Sequence, residues 1–185
     1  MPTYTLIIFG VVLLVFVYFI ALYNNLIGKK NQVDEAWSDI EVQLKRRYDL
    51  IPNLIETVKG YAKHEANVFD SVTSARAKAI QAQTLGEHAA AEGILSRAVG
   101  SLFAVVENYP ELKASVNFLQ LQDELKDAED KIQAARRFYN GNVRDFNTDI
   151  QRFPGNIFAK TLGFIAAEYF ELNNAEERSL PKVSF

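Results

Sequence analysis

From Leu6 to Leu22 every residue is apolar apart from Gly10 and Tyr18, and Leu26 and Ile27 carry the stretch past Tyr23, Asn24 and Asn25. As a helix, Leu6 to Ile27 is roughly 33 Å long, which matches a hydrocarbon core of about 30 Å. Tyr4 and Tyr23 fall where interfacial aromatics belong. A cleaved signal peptide is the competing reading. Residues 1–5 hold no Lys or Arg, however, and no small-x-small site follows cleanly, so the length and flanks predict a retained anchor at 1–28 that meets the lipid bilayer through residues 6–27. Every charged side chain lies after it.

Lys and Arg resist translocation, so flanking cations set orientation. None precedes the stretch; Lys29, Lys30, Lys45, Arg46 and Arg47 follow it. In a bacterial inner membrane this places the N-terminus outside and the body in the cytoplasm, as a single-pass protein. The body mixes both signs of charge to a net of -3, without the basic stripe that phosphates demand, so nucleic acid is not an expected partner. The chain has no cysteine, which excludes disulfides, thiolate zinc sites and a thiol nucleophile.

Beyond the anchor, apolar residues recur in steps of four and three: Val33, Trp37, Ile40, Leu44, Ile51, Ile55, Val58, Ala62, Phe69 and Val72. This heptad seam predicts a first long helix, kinked by Pro52 near Tyr48 or restarted with Asp49 as cap, and ended by Gly86. A second helix, from about Glu87 to Asn108, carries Ala91, Leu95, Ala98, Leu102 and Val105 on one face. Tyr109-Pro110 stops it. After Ser115 a third shows Leu121, Leu125, Ala128, Ile132, Ala135, Tyr139, Val143, Phe146, Ile150 and Phe153, with a four-residue stutter after Tyr139. Ile157 to about Tyr169 reads as a shorter fourth helix. No segment alternates at period two, so no sheet is expected. The predicted fold is all-α: an N-terminal transmembrane helix, a membrane-proximal helix at 29–50, an antiparallel, coiled-coil-like four-helix bundle at 51–172 and a C-terminal tail at 173–185.

Counting 1.5 Å per residue, the second helix climbs back only to about Tyr61, and an extended Tyr109–Ser115 linker brings the third to near Arg47, from which it descends. On that count nothing covers Val33, Trp37, Ile40 and Leu44. A bare apolar stripe calls for a partner, and a second copy is the simplest one, so a homo-oligomer interface is expected there.

Chemistry is sparse. Neither His64 nor His88 belongs to an ExxH pair or an HExxH motif, and no phosphate-binding or nucleophile-elbow motif is present, so no catalytic residue, cofactor or metal is expected. The carboxylates around Asp123, Glu124, Asp127, Glu129 and Asp130 fall between seam positions and read as a solvated face. Arg46 and Arg47 would suit either anionic headgroups or those acids.

Particular strings then carry a resemblance: Tyr23-Asn24-Asn25-Leu26, Ala36-Trp37-Ser38-Asp39-Ile40, the run Arg46-Arg47-Tyr48-Asp49-Leu50-Ile51-Pro52-Asn53-Leu54, Glu107-Asn108-Tyr109-Pro110, and Ala135-Arg136-Arg137-Phe138-Tyr139-Asn140. Together these resemble the LemA family of bacterial membrane proteins. The resemblance implies an N-out anchor and a cytoplasmic helical bundle without established enzymatic activity, some members being accessory to membrane zinc peptidases or to magnetosome membranes. Tyr48 stands where relatives often have His. Two readings of the Arg-Arg-x-Asp-Leu-Ile-Pro-Asn-Leu run stay open: a structural kink, with Asn53 meeting the carbonyl that Pro52 frees, or a docking surface of Arg46, Arg47 and Asp49. The function these features favour is a membrane-anchored, self-associating scaffold; an accessory subunit of a membrane protease is the alternative.

Overall fold

A computed structural model describes residues 3–171 of the chain. All six elements in that span are helical: α1 (Thr3–Lys59), α2 (Ala66–Gln81), α3 (Leu85–Val106), α4 (Pro110–Lys113), α5 (Val116–Gln151) and α6 (Gly155–Ala159). The expected tail at 173–185 lies outside the described residues. Two compact units divide the chain: Met1–Asp39 with Arg137–Tyr169, and Ile40–Arg136 with Phe170–Phe185. Residues of α1 and α5 contribute to both.

In the first unit the N-terminal part of α1 is inverted relative to a soluble helix. Its large apolar side chains from Leu6 to Val17 are 49–71% exposed. Further along, α5 runs antiparallel to α1: Trp37 meets Tyr139 edge-on at 5.8 Å between ring centroids, and Asn25 Nδ2 donates to Asp149 Oδ2 at 3.2 Å. Tyr139, Val143, Phe146 and Ile150 of the predicted seam are buried. The predicted fourth helix is reduced to α6 and the turn to Phe164 that follows it; beyond that, side chains meet the backbone: the Asn147 amide accepts from Ala167 N–H and donates to its carbonyl, both at 2.9 Å, and the Tyr139 hydroxyl donates to the Glu168 carbonyl at 3.0 Å.

In the second unit the first predicted helix proves to be two. Lys59 ends α1, and a reversal through Gly60–Glu65 sends α2 back along it, with the Lys59 ammonium over the Phe69 ring. A basic last turn followed by Gly is the physical stop signal, because glycine loses the most backbone entropy in a helix and cations suit the C-terminal dipole. Gly86 lies inside α3. That helix instead starts at a capping box in which Thr84 Oγ1 accepts from Glu87 N–H and the Glu87 carboxylate accepts from Thr84 N–H. Tyr109–Ser115 is not extended either, since Pro110 opens the single helical turn α4.

These reversals overturn the bare stripe. Within the single chain Val33, Ile40 and Leu44 are buried and Trp37 is half-buried. The length count failed because it ran the first helix on to Gly86 and stretched the linker. The stripe is core.

Candidate functional site

Pro52 lacks an N–H, so the carbonyl of Tyr48, four residues earlier, loses its helical donor. No restart occurs at Asp49, which is exposed within a continuous α1. Arg76 of α2 fills the gap, its Nε donating to the Tyr48 carbonyl at 2.7 Å. Asn53 was expected in that role; a guanidinium from the returning helix takes it.

One residue earlier, Arg47 turns inward. Its Nη1 donates to Glu92 Oε2 at 2.9 Å and pairs with Glu129 Oε2 at 2.9 Å, while Nη2 donates to Ser96 Oγ at 2.9 Å. The Tyr48 hydroxyl donates to the other Glu92 oxygen at 2.5 Å. Glu92 is 1% exposed and Arg47 6%. Arg136 of α5 adds a second, half-buried cation, its guanidinium 4.6 Å above the Phe170 ring and its buried Nε without a hydrogen-bond partner. Two carboxylates and two guanidiniums thus balance, and the Arg47–Tyr48 pair is bonded to α2, α3 and α5 at once.

The electrostatics suit holding rather than proton transfer. Burial above all, and then the Glu92 charge and hydrogen bond, push the Tyr48 phenol far above its usual range. It stays neutral and donating. Burial also lowers Arg136, an effect that the Glu92 and Glu129 charges oppose, and a guanidinium so placed remains protonated.

The expected docking surface therefore does not hold together. Arg47 faces the interior, Arg46 is partly exposed with its Nη1 on Asp127 Oδ2 at 2.7 Å, and Asp49 is exposed. Neighbours on a helix point about 100° apart, and here the seam takes Arg47 while Arg46 is left outside it. Between lipid and acid as partners for these arginines, the acids hold them in this structure. His64 lies exposed in the reversal after α1, and His88 lines a separate cleft with Glu41, Tyr48 and Ala79. Among the described residues no three His, Cys, Asp or Glu side chains group as metal ligands do.

Glu92 and Arg136 were missed from the sequence, although a signal existed. Glu92, Leu95, Val99, Leu102 and Val106 step by three and four along one face, so a charge sits inside a seam. Likewise the first seam jumps seven residues from Leu44 to Ile51, and the vacant place is that of Arg47 and Tyr48.

An apolar helix that exposes its N-terminal half, continued into a helical body tied by a buried charge centre, defines a membrane-associated helical-bundle protein. The model of the LemA family matches residues 36–185, and the chain belongs to that family. Relatives include the magnetosome protein MamQ of Magnetospirillum gryphiswaldense, 25% identical over 80% of this chain and 64% of its own length. Magnetosome protein MamQ 1 of Paramagnetospirillum magneticum is 26% identical over the same shares. Protein LemA of Metamycoplasma hominis is 28% identical over 83% of this chain and 70% of its own. The chain thus spans a little under two thirds of the magnetosome relatives.

Proposed function

We propose that this protein is a membrane-anchored, non-enzymatic scaffold or adaptor of the LemA type, which presents its helical body at the cytoplasmic face of a bacterial inner membrane and organises partner proteins there. The observation that carries the reading is the contrast within α1: bare apolar side chains from Leu6 to Val17, and polar groups at Arg47 and Tyr48 committed to other helices of the same chain. Such a centre rigidifies a body without offering a reactive group. Kinship with magnetosome proteins supports a membrane role. The stripe from Val33 to Leu44 gives no reason for self-association once the chain covers it.

The cations after the anchor support a cytoplasmic body. A single cysteine at Ser74, which is exposed, should resist a membrane-impermeant thiol reagent in intact cells and react after lysis. Proximity labelling from the body should recover several membrane-associated proteins. One stoichiometric protease partner that survives mild detergent would favour the accessory-subunit reading instead.

A further inference from the structure

Beyond α5 the chain returns to the anchor. In the first unit Phe158 of α6 meets Phe19 edge-on at 4.3 Å between centroids, and Phe164 lies 6.0 Å from Tyr23. Phe19 is inside the run Leu6–Leu22; Tyr23 follows it at once and, with Asn24 and Asn25, brings the first polar groups. Four residues separate the two, about 6 Å along the helix. Whatever packs beside both sits at the boundary between headgroups and acyl chains, the depth of about 5–10 Å at which interfacial segments lie.

The side chains in this region match that depth. Phe153 is 78% exposed, Ile157 54% and Ile165 82%, while Arg152 and Lys160 are exposed among them. Large apolar groups left bare beside cations are costly in water and stable where acyl chains meet anionic headgroups. The backbone allows it: α6 is a single turn, and Gly163, at φ +80°, turns the chain in a conformation other residues seldom adopt. Irregular backbone is tolerated at the interface, not in the hydrocarbon core.

We infer that residues 153–165 form a second membrane-contacting element, an interfacial foot that inserts Phe153, Ile157 and Ile165 into the leaflet through which the anchor enters the body. This rests on α1 being an anchor, and the test separates the two. Because the chain has no cysteine, single cysteines at Ile157, Ile165, Val12 and Asp70 can each carry an environment-sensitive NBD probe in the full-length protein. The protein is reconstituted into vesicles of phosphatidylcholine and phosphatidylglycerol containing nitroxide lipids. Probes at 157 and 165 should emit in the blue and be quenched several-fold more by a shallow nitroxide than by a deep one; Val12 should show the reverse and Asp70 neither. If 157 and 165 behave like Asp70 while Val12 is quenched, the foot is refuted and the anchor stands. Blue emission at 157 and 165 that no nitroxide lipid quenches means protein cover, and overturns the foot as well. An unquenched Val12 sinks both readings. Helicity of each labelled protein, checked by circular dichroism, should match the parent, and Phe153 labelled in the same way provides an independent third position.

Discussion

Arg46 and Arg47 are neighbours in sequence, each bonded to a carboxylate at under 3 Å, yet they do different work. The Arg46–Asp127 pair is 40% and 46% exposed at the side chains, and Asp127 is shared with Lys131. Water screens it, and a salt bridge of this kind contributes little. Arg47 and Glu92 are 7% and 1% exposed. There the desolvation cost is large and is offset only while every lone pair and N–H is met, so losing one partner strands a buried charge. Distance alone does not grade an ion pair; burial and the completeness of the surrounding bonds do.

The comparison can be broken at its strong end first. Glu92→Ala should destabilise the body by about 3 to 5 kcal/mol, the range for removing one partner of a buried pair, read as a lower urea midpoint of helicity in detergent micelles. A change no larger than that of a surface variant would mean that Glu129 alone satisfies Arg47. Tyr48→Phe comes next, at about 1.5 to 3 kcal/mol for a hydrogen bond to a charged group. It should also change the alkaline limb. The folded phenol is raised above its ordinary value of 10.0, so its contribution is full below about pH 10 and is lost as pH rises through the range where only the unfolded chain ionises. Tyr139, raised mainly by its own burial, shares that direction, so the variant should flatten the limb without abolishing it.

Arg76→Met removes the donor that replaces the missing Pro52 N–H. The Tyr48 carbonyl is then left to find water, at about 1 kcal/mol, the low end for an unmet acceptor because Arg76 is only half-buried. Adding Pro52→Ala restores a helical donor and should recover most of the loss. At the weak end, Asp127→Asn should leave the midpoint at neutral pH unmoved. Hydrogen bonds from Lys131 and Arg46 hold the Asp127 carboxyl below its usual range, so what little it adds is present above that range and disappears as pH falls through the depressed value.

These residues also show how far the sequence could be read. The long apolar helix at the N-terminus was plain because a run from Leu6 to Leu22 without a charge has few other ways to fold. The seam of α5 was plain because one helix face buries Leu125, Ala128, Ile132, Tyr139, Val143, Phe146 and Ile150, although Phe153, expected to end it, is exposed. The reversal at Gly60 was legible from Lys59-Gly60, and the α3 start from Thr84-x-x-Glu87, but a strong heptad running on into Phe69 and Val72 masked both. That Arg47 and Glu92 were interior could have been taken from charges occupying seam positions. Which carboxylates Arg47 would take could not: Glu92, Asp127 and Glu129 are alike in chemistry, and the choice of Glu92 on α3 and Glu129 on α5 depends on how the reversals set those helices alongside. The short α6 and its contact with Phe19 likewise depend on tertiary return, to which local propensity is blind.

A double-mutant cycle on Arg47 and Glu92 tests most directly whether a buried charge centre ties the helices of the body. Arg47→Met and Glu92→Leu should each cost about 3 to 5 kcal/mol alone, whereas the double variant, which leaves Glu129 and Arg136 balanced, should recover much of that loss. The matching cycle on Arg46 and Asp127 should show no coupling beyond error. Additive losses in the first cycle, or equal coupling in the two, would contradict the account.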